Sequence, residues 1–195
     1  MLFNFKKKIK IEIKKITIFN FIITPSLLSV SSVKIGLAFD AGLYHLGVQN
    51  WIRESVMPIG FYNLNSRYGF SSIIDFINAN FWLENNYLLL HYVNLTFISG
   101  LLAILTFYII EGENKLLSTA SFFLIIFGVL DNFGYAGGRN GFFDIEAVTK
   151  QDTPFAVMYV LSNIFLIHSL TKKKITNEEV LYLSIFVLFS IQQRS

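Results

Sequence analysis

The sequence contains no cysteine, which excludes disulfide bonds, thiolate metal sites and a cysteine nucleophile. It is also poor in charge, since only 15% of its 195 residues are Asp, Glu, Lys or Arg. No glycine-rich nucleotide loop follows a strand-like segment, and neither a Ser-His-Asp pattern nor a metal-binding helix motif occurs. These absences argue against nucleotide-driven chemistry.

Apolar residues are what the chain has in excess. They make up 53% of it, with 21 Phe and 9 Tyr, and the mean hydropathy is +0.53. A soluble domain of this size is less apolar, and aromatic rings are frequent at membrane interfaces. The net charge of +3 does not indicate nucleic acid, because the lysines stand in two clusters beside apolar stretches. Membrane lipid is the predicted partner.

Five apolar stretches predict an all-α, multi-pass transmembrane bundle that forms one domain over 1–195. A helix crosses a membrane with ~20 mostly apolar residues, and the second stretch is the clearest candidate while the last is short. The five predicted spans are 16–33, 87–110, 116–132, 154–170 and 180–191.

Lysines set the predicted orientation. Six of them lie between positions 6 and 15, and three more lie at 172–174. The positive-inside rule places both clusters on the cytoplasmic side of the inner membrane, with the 1–15 leader inside and the loops 34–86 and 133–153 outside. A cleaved signal peptide is the alternative for the N-terminus, but no clear small-x-small cleavage site follows the first apolar stretch. We therefore expect a retained signal anchor.

The first outer loop has patterned segments of its own. Between about 41 and 56 the apolar residues recur at helical spacing, while His45, Gln49 and Arg53 share another face. A second segment, 71–83, places Ile73, Ile74, Ile77 and Phe81 on one side. The pattern predicts two amphipathic helices that lie along the outer interface with their apolar faces toward the membrane.

Acidic residues in the two outer loops are the candidates for catalysis and metal binding. Asp40 stands just beyond the first span, where it fits a general base and equally the N-cap of the next helix. Asp152 precedes Thr153 and Pro154, so it can cap the following helix and still face the loop. Asp144 and Glu146 form an acid-x-acid pair that would suit Mg²⁺ or Mn²⁺ if phosphate or water completed the ligands.

Aromatic and basic residues in the same loops are the candidates for substrate binding. We predict that Tyr44 and His45 contact a phosphate or a sugar hydroxyl. For His45, an interfacial histidine that is hydrogen-bonded to backbone is the simpler interpretation. Arg53, Arg67 and Arg139 carry guanidinium groups that can hold two phosphate oxygens at once, although each alone fits a solvated loop charge. His91 and Asn94 are polar residues near the outer end of the second span, where polar groups are often functional.

Two sequence blocks resemble a group of bacterial multi-pass membrane proteins of the GT-C glycosyltransferase type. The first is Asp40-Ala41-Gly42-Leu43-Tyr44-His45-Leu46, followed by Trp51-Ile52, and the second runs from Asn63 to Ser72. The family patterns are close to D-T-G-L-Y-H-L and N-L-H-x-R-x-G-F-N-S-S. Ala41 and Asn65 depart from them, standing where the patterns have threonine and histidine.

This resemblance implies an enzyme that transfers a sugar from a polyprenyl-phosphate donor to a glycan or lipid acceptor on the outer face, in cell-surface polysaccharide or glycolipid assembly. GT-C enzymes place an essential acid in the first outer loop and often another in the second, which here would be Asp40 and one of Asp144, Glu146 or Asp152. Those enzymes are longer, so we expect this chain to be the N-terminal part: a fragment, a split subunit or a degenerate copy.

Two other functions compete with the transferase. The same loops could bind lipid-linked sugar without reacting, in a non-catalytic membrane subunit of a polysaccharide polymerisation or export complex. A small transporter is the second alternative, although the chain lacks clear internal repeats and ionisable residues at the middle of its spans.

Overall fold

The structure is a computed structural model that describes residues 19–34, 36–37, 41–54, 60–63, 66–69, 72–84, 86–132, 147–148, 152–172 and 175–192. These residues form seven α-helices, several short 3-10 and π-helical turns, and two strands of two residues each. The α-helices are α1 (Thr24–Leu28), α2 (Leu46–Glu54), α3 (Ile73–Ala79), α4 (Leu88–Glu111), α5 (Lys115–Asn132), α6 (Asp152–Thr171) and α7 (Asn177–Gln192). The strands are β1 (Gly36–Leu37) and β2 (Ala147–Val148).

Local sequence signals account for several helix ends. Gly112 ends α4 in the left-handed region, with φ of +63°, and its N–H donates to the Tyr108 carbonyl at 3.2 Å. Glycine adopts that conformation without the steric cost of a Cβ. At the start of α7, Thr176 and Glu179 exchange hydrogen bonds between side chain and backbone, which is a capping box.

The hydrophobic core lies between α4, α5 and α6. α4 and α6 contribute four of its nine buried members each and α5 contributes one. α4 packs against both α5 and α6, while α7 packs against α6 and α1 against α4. Its buried members are Ile98, Leu101, Leu105, Tyr108, Leu117, Val157, Met158, Leu161 and Ile164. The long helices thus form one bundle around α4.

The outer surface of this bundle is also apolar. By length and composition, two helices could cross a membrane, Leu88–Ile110 and Asp152–Thr171, and only 39% and 44% of their most apolar stretches are buried inside the protein. Two shorter apolar segments, Phe19–Leu28 and Lys115–Gly128, accompany them. Large apolar side chains also point outward from α5 and α7, among them Phe123, Phe127, Leu130, Leu181 and Leu188.

Helices occur at all five stretches that the sequence predicted as spans. The first is not a regular α-helix: a π-helical turn (Phe19–Ile23), α1 and a 3-10 helix (Ser29–Lys34) follow one another without a break. This segment lies against α4, where the buried Asn20 donates a hydrogen bond to the Ala103 carbonyl at 3.4 Å.

A short parallel strand pair joins the two long loops. Gly36 pairs with Ala147, and Leu37 pairs with Val148. In the sequence, Leu37 stands three residues before Asp40, and Ala147 directly follows Glu146. The pairing therefore brings together segments of the 34–86 and 133–153 loops, which the sequence placed on one side of the membrane.

Candidate functional site

The most polar interior in the described part of the chain lies between α2 and α3. A π-helical turn, Ala41–His45, leads directly into α2, and α2 packs against α3. Side chains from these elements and from the turn after α3 form a buried group, which we call the polar cluster: His45, Gln49, Ser72, Asp75 and Trp82.

Asp75 is the centre of the polar cluster. Its side chain is completely buried, and its two oxygens have different partners. Oδ2 accepts a hydrogen bond from the Ser72 N–H at 3.3 Å, which caps the start of α3. Oδ1 accepts one from Gln49 Nε2 at 3.1 Å and lies 3.3 Å from His45 Nδ1. One carboxylate therefore both starts α3 and joins it to α2.

Gln49 extends the cluster toward Trp82. Its side chain is also completely buried, and its Oε1 accepts a hydrogen bond from Trp82 Nε1 at 2.9 Å. With the amide nitrogen on Asp75 and the amide oxygen on Trp82, each end of the side chain meets a group of the right kind. Reversing the amide would set two oxygens against each other, so these bonds fix its orientation.

Arg53 reaches the outer side of this chain of contacts. It is exposed at the end of α2, and its guanidinium carbon lies 4.9 Å from the centre of the Trp82 ring. A guanidinium in this position is attracted to the face of the indole. The three polar residues that the sequence placed on one face of α2, His45, Gln49 and Arg53, therefore all belong to one connected set of contacts.

Two further binding candidates flank α2. The Tyr44 ring lies 4.2 Å from the His45 ring, centre to centre. Arg67 belongs to the 3-10 helix Ser66–Gly69, whose Tyr68 ring meets the Trp51 ring edge to face at 4.9 Å. This contact holds the backbone around Arg67 beside α2, while the Arg67 side chain is outside what the structure describes.

The remaining predicted site residues are not part of the polar cluster as described. Asp152 is exposed at the first turn of α6. Asp40, Arg139, Asp144 and Glu146 lie outside the described residues, so the catalytic prediction for Asp40 and the metal prediction for the acid pair stay predictions. Among the residues that the structure does describe, no group of three or more His, Asp or Glu side chains could hold a metal ion.

The first turns of α4 add buried polar groups of their own. His91 is completely buried and Asn94 is 2% exposed. Asn78, one turn after Asp75 on α3, is also buried, and its Oδ1 accepts no hydrogen bond from the described residues. Burial also makes Asn94 unsuitable as a glycosylation acceptor, although it begins an Asn-Leu-Thr sequence.

The arrangement of α2 and α3 differs from the predicted amphipathic pair. Helix α3 is shorter than 71–83, and its buried face carries Ile74, Asp75 and Asn78, whereas Phe81 is exposed. His45 and Gln49 of the predicted polar stripe face inward rather than toward water, whereas Arg53 is exposed. The physical reason is that Asp75 and Trp82 supply hydrogen-bonding partners for His45 and Gln49, so burial costs these polar groups little.

Sequence reasoning missed Asp75, Ser72 and Trp82. A signal for the first two was present: Ser72-Ile73-Ile74-Asp75 has the spacing of a capping box ahead of an apolar run. Only the apolar members of that segment were used to predict its buried face. The Trp82 contact follows a turn after α3 and has no comparable local signal.

Chemically, the polar cluster is a histidine held by a buried carboxylate. Asp75 Oδ1 lies 3.3 Å from His45 Nδ1, so a proton on Nδ1 can be donated to the carboxylate, and this contact sets the orientation of the ring. Comparisons with protein-family models, with curated proteins and with solved structures yield no match for this chain.

Proposed function

We propose that the protein is a multi-pass inner-membrane transferase of the GT-C type that moves a sugar from a polyprenyl-phosphate donor to a glycan or lipid acceptor at the outer face. The observation that carries the proposal is the polar cluster. The cluster includes His45, and Arg53 contacts the ring of its member Trp82. Both are candidates for contact with a donor phosphate, and they follow Asp40 by 5 and 13 residues in the sequence.

The outward face of the bundle supports the membrane part of the proposal. Helices α5 and α7 expose large apolar side chains on surfaces that no described residue covers, and a soluble monomer rarely exposes apolar patches of that extent. Lipid tails would cover them. The segment 19–34, α4, α5, α6 and α7 then serve as five spans, with the N-terminus in the cytoplasm.

In the proposed reaction, Asp40 accepts the proton of the acceptor hydroxyl as that oxygen attacks the anomeric carbon of the sugar. The bond from this carbon to the phosphate oxygen breaks, and negative charge grows on the leaving polyprenyl phosphate. His45 and Arg53 stabilise that charge, which is the kind of interaction that lowers a barrier because it strengthens in the transition state.

Cysteine labelling tests the predicted orientation. Gly42 is exposed, and a Cβ added there meets no other atom within 4 Å, so Gly42→Cys is a better probe than the completely buried Ala41. We expect an impermeant thiol reagent on intact cells to label Gly42→Cys and Gly141→Cys but not Glu113→Cys, which should be cytoplasmic. Labelling of only one of the two loop variants would separate the loops and reject the proposal.

A transfer assay tests the reaction. Full-length protein in nanodiscs is incubated with a set of polyprenyl-phosphate-linked hexoses, and the release of polyprenyl phosphate is measured. We expect release by the wild-type chain and none by Asp40→Asn. Glu54→Gln is the matched control in the same loop, because Glu54 is exposed and accepts its hydrogen bond from Asn50 of the same helix.

A non-catalytic subunit would give a different result. In that case the wild-type chain would bind the lipid-linked sugars without turnover of any of them, and Arg53→Gln would weaken binding. One observation favours this alternative: both oxygens of Asp75 already have partners within the chain, as expected of a purely structural group. Binding without turnover would therefore replace the transferase with the subunit.

A further inference from the structure

We infer that Asp75, assisted by Gln49, positions His45 to give a proton to the leaving phosphate. This inference rests on the proposed transfer reaction and deepens it, because the sequence patterns that suggested a transferase do not include Asp75. Neither Asp75 nor Gln49 touches substrate in this account, so both are positioning residues and His45 is the catalytic residue.

The exposed fractions of Asp75, Gln49 and His45 support these separate roles. Asp75 and Gln49 have no exposed surface, whereas His45 is 6% exposed. Of the three, His45 alone keeps any exposed surface. Two hydrogen-bonding contacts to one carboxylate oxygen, from Gln49 at 3.1 Å and from His45 at 3.3 Å, lock α2 at a fixed rotation relative to α3.

Capping of α3 does not account for this arrangement. The cap uses Asp75 Oδ2, while Oδ1 is directed at α2. A second capping box among the described residues, Thr176 with Glu179, shows what capping alone requires. There the acid keeps 18% of its side-chain surface exposed and pairs with the exposed Lys172. Burying a carboxylate costs free energy unless hydrogen-bonding or charged partners compensate for the lost water. Capping a helix does not require that burial.

Because Asp75 lies against Nδ1 of the His45 ring, the other ring nitrogen, Nε2, is the one that gives the proton to the phosphate. In the imidazolium form of His45 both ring nitrogens carry a proton. The Nδ1 proton stays directed at Asp75, so the proton that leaves is the one on Nε2, and the ring becomes neutral. As the sugar is transferred, the bond from the anomeric carbon to the phosphate oxygen breaks and its electron pair stays on the phosphate. That oxygen takes the Nε2 proton. Asp40 meanwhile holds the proton from the acceptor hydroxyl, and water returns both residues to their starting states.

The chain of contacts also explains the placement of Arg53. Asp75 binds Gln49, Gln49 binds Trp82, and Trp82 supports the Arg53 guanidinium. His45 and Arg53 are eight residues apart, or about 12 Å along a helix. Because Arg53 extends over Trp82, whose Nε1 reaches back to Gln49, its charge is held over the side of α2 that carries His45.

Kinetics of single and double variants test the positioning role. General acid catalysis contributes about 10²–10⁴-fold to a rate, so we expect His45→Gln to lower kcat by about 10²-fold or more, and Asp75→Asn to do so with little change in KM. If Asp75 acts through His45, the double variant loses no more than His45→Gln alone. Glu54→Gln serves again as the control with wild-type kinetics.

A spectroscopic measurement makes the test independent of turnover. The chain has three histidines, so ¹⁵N-histidine spectra of the wild type and of His45→Gln identify the His45 signals by subtraction. At a pH where the ring is neutral, we expect the proton on Nδ1 in the wild type and a shift toward Nε2 in Asp75→Asn. Unchanged histidine signals elsewhere show that the variant is folded.

The outcomes separate this inference from the proposed function. Turnover by the wild type, its loss in Asp40→Asn and normal kcat in Asp75→Asn would overturn the inference and keep the transferase. Losses that multiply in the double variant, or an Nδ1 that carries no proton, would also overturn it. A wild-type chain that turns over no donor would overturn both.

Discussion

The bundle around α4 and the α2–α3 unit have opposite kinds of interior. Inside the bundle, the described core is built from apolar side chains such as Leu101, Leu105 and Leu161. Between α2 and α3, the most deeply buried groups include a carboxylate and an amide, Asp75 and Gln49. The first interior depends on shape and the second on directional hydrogen bonds.

The apolar bundle would therefore stabilise the fold, and the polar α2–α3 unit would offer side chains to a ligand. Apolar packing is non-directional and tolerates small changes of shape. A buried polar network is worth keeping only when every member has its partner, and it then fixes side-chain positions closely. The α2–α3 unit is accordingly where an alignment suited to chemistry exists, while the bundle supplies a rigid support.

The largest effect should come from breaking the polar interior at its centre. Asp75→Ala leaves Gln49 Nε2 and His45 Nδ1 buried without their acceptor, and losing one member of a buried pair costs about 3–5 kcal/mol. We expect hydrogen exchange to rise sharply in 41–54 and 72–84 while α4 and α6 stay protected. Equal loss of protection in the bundle would show that the two interiors are not separate units.

Truncating an apolar side chain of the bundle should lower stability only where that side chain points into the protein core. Leu101 is completely buried, and Leu→Ala at such a site costs about 2–5 kcal/mol. Phe123 is 63% exposed on α5, where lipid would surround it before and after unfolding. We expect Leu101→Ala to lower the unfolding temperature in nanodiscs and Phe123→Ala to leave it nearly unchanged. A large effect at Phe123 would indicate a protein contact there instead of lipid.

A single hydrogen bond at the edge of the polar cluster should matter less. Trp82→Phe keeps an aromatic face under Arg53 but removes the Nε1 donor to Gln49, and a buried acceptor left unsatisfied costs about 1–3 kcal/mol. We expect raised hydrogen exchange in α2 alone. Trp82→Leu is the companion variant, because it also removes the aromatic face that attracts Arg53, and an identical effect of the two would mean that this attraction contributes nothing.

The helices of the bundle could be predicted from the sequence because mean hydropathy sums the contributions of many apolar residues in one stretch. Each apolar residue of 87–110 and 154–170 adds to the same average, so the positions of α4 and α6 follow from hydropathy alone. The first stretch was harder to describe, since nothing in its apolar composition indicates the mixture of π, α and 3-10 turns in 19–34.

Two of the five members of the polar cluster, His45 and Gln49, could be predicted, and the reason is geometric. His45, Gln49 and Arg53 recur at steps of four on one helix, so their common face is visible in the sequence. Asp75 comes 26 residues after Gln49, and such a pairing depends on how two short helices pack. Without that contact, a polar stripe on an outer loop is most simply expected to face water, which is the reverse of what the structure has.

The smallest expected effect concerns acid and the start of α7. Hydrogen bonds from the Lys172 side chain and from the Thr176 backbone lower the pKa of Glu179 from 4.5 to about 2. Because this pKa is lower in the folded protein, its contribution to stability is complete above pH 4.5, declines below that and is gone below pH 2. We expect hydrogen exchange at the first turn of α7 to increase as the pH falls through this window.

Two neighbouring acids, Glu178 and Glu179, make this prediction specific. Glu179→Gln should remove the acid dependence at the start of α7, because a neutral amide keeps its protonation state across the range. Glu178→Gln is the matched control, because Glu178 is the neighbouring acid in the same first turn of α7. If both variants kept the wild-type response, the acid sensitivity of that turn would arise from another group, and the capping box would be a local detail of geometry without effect on stability.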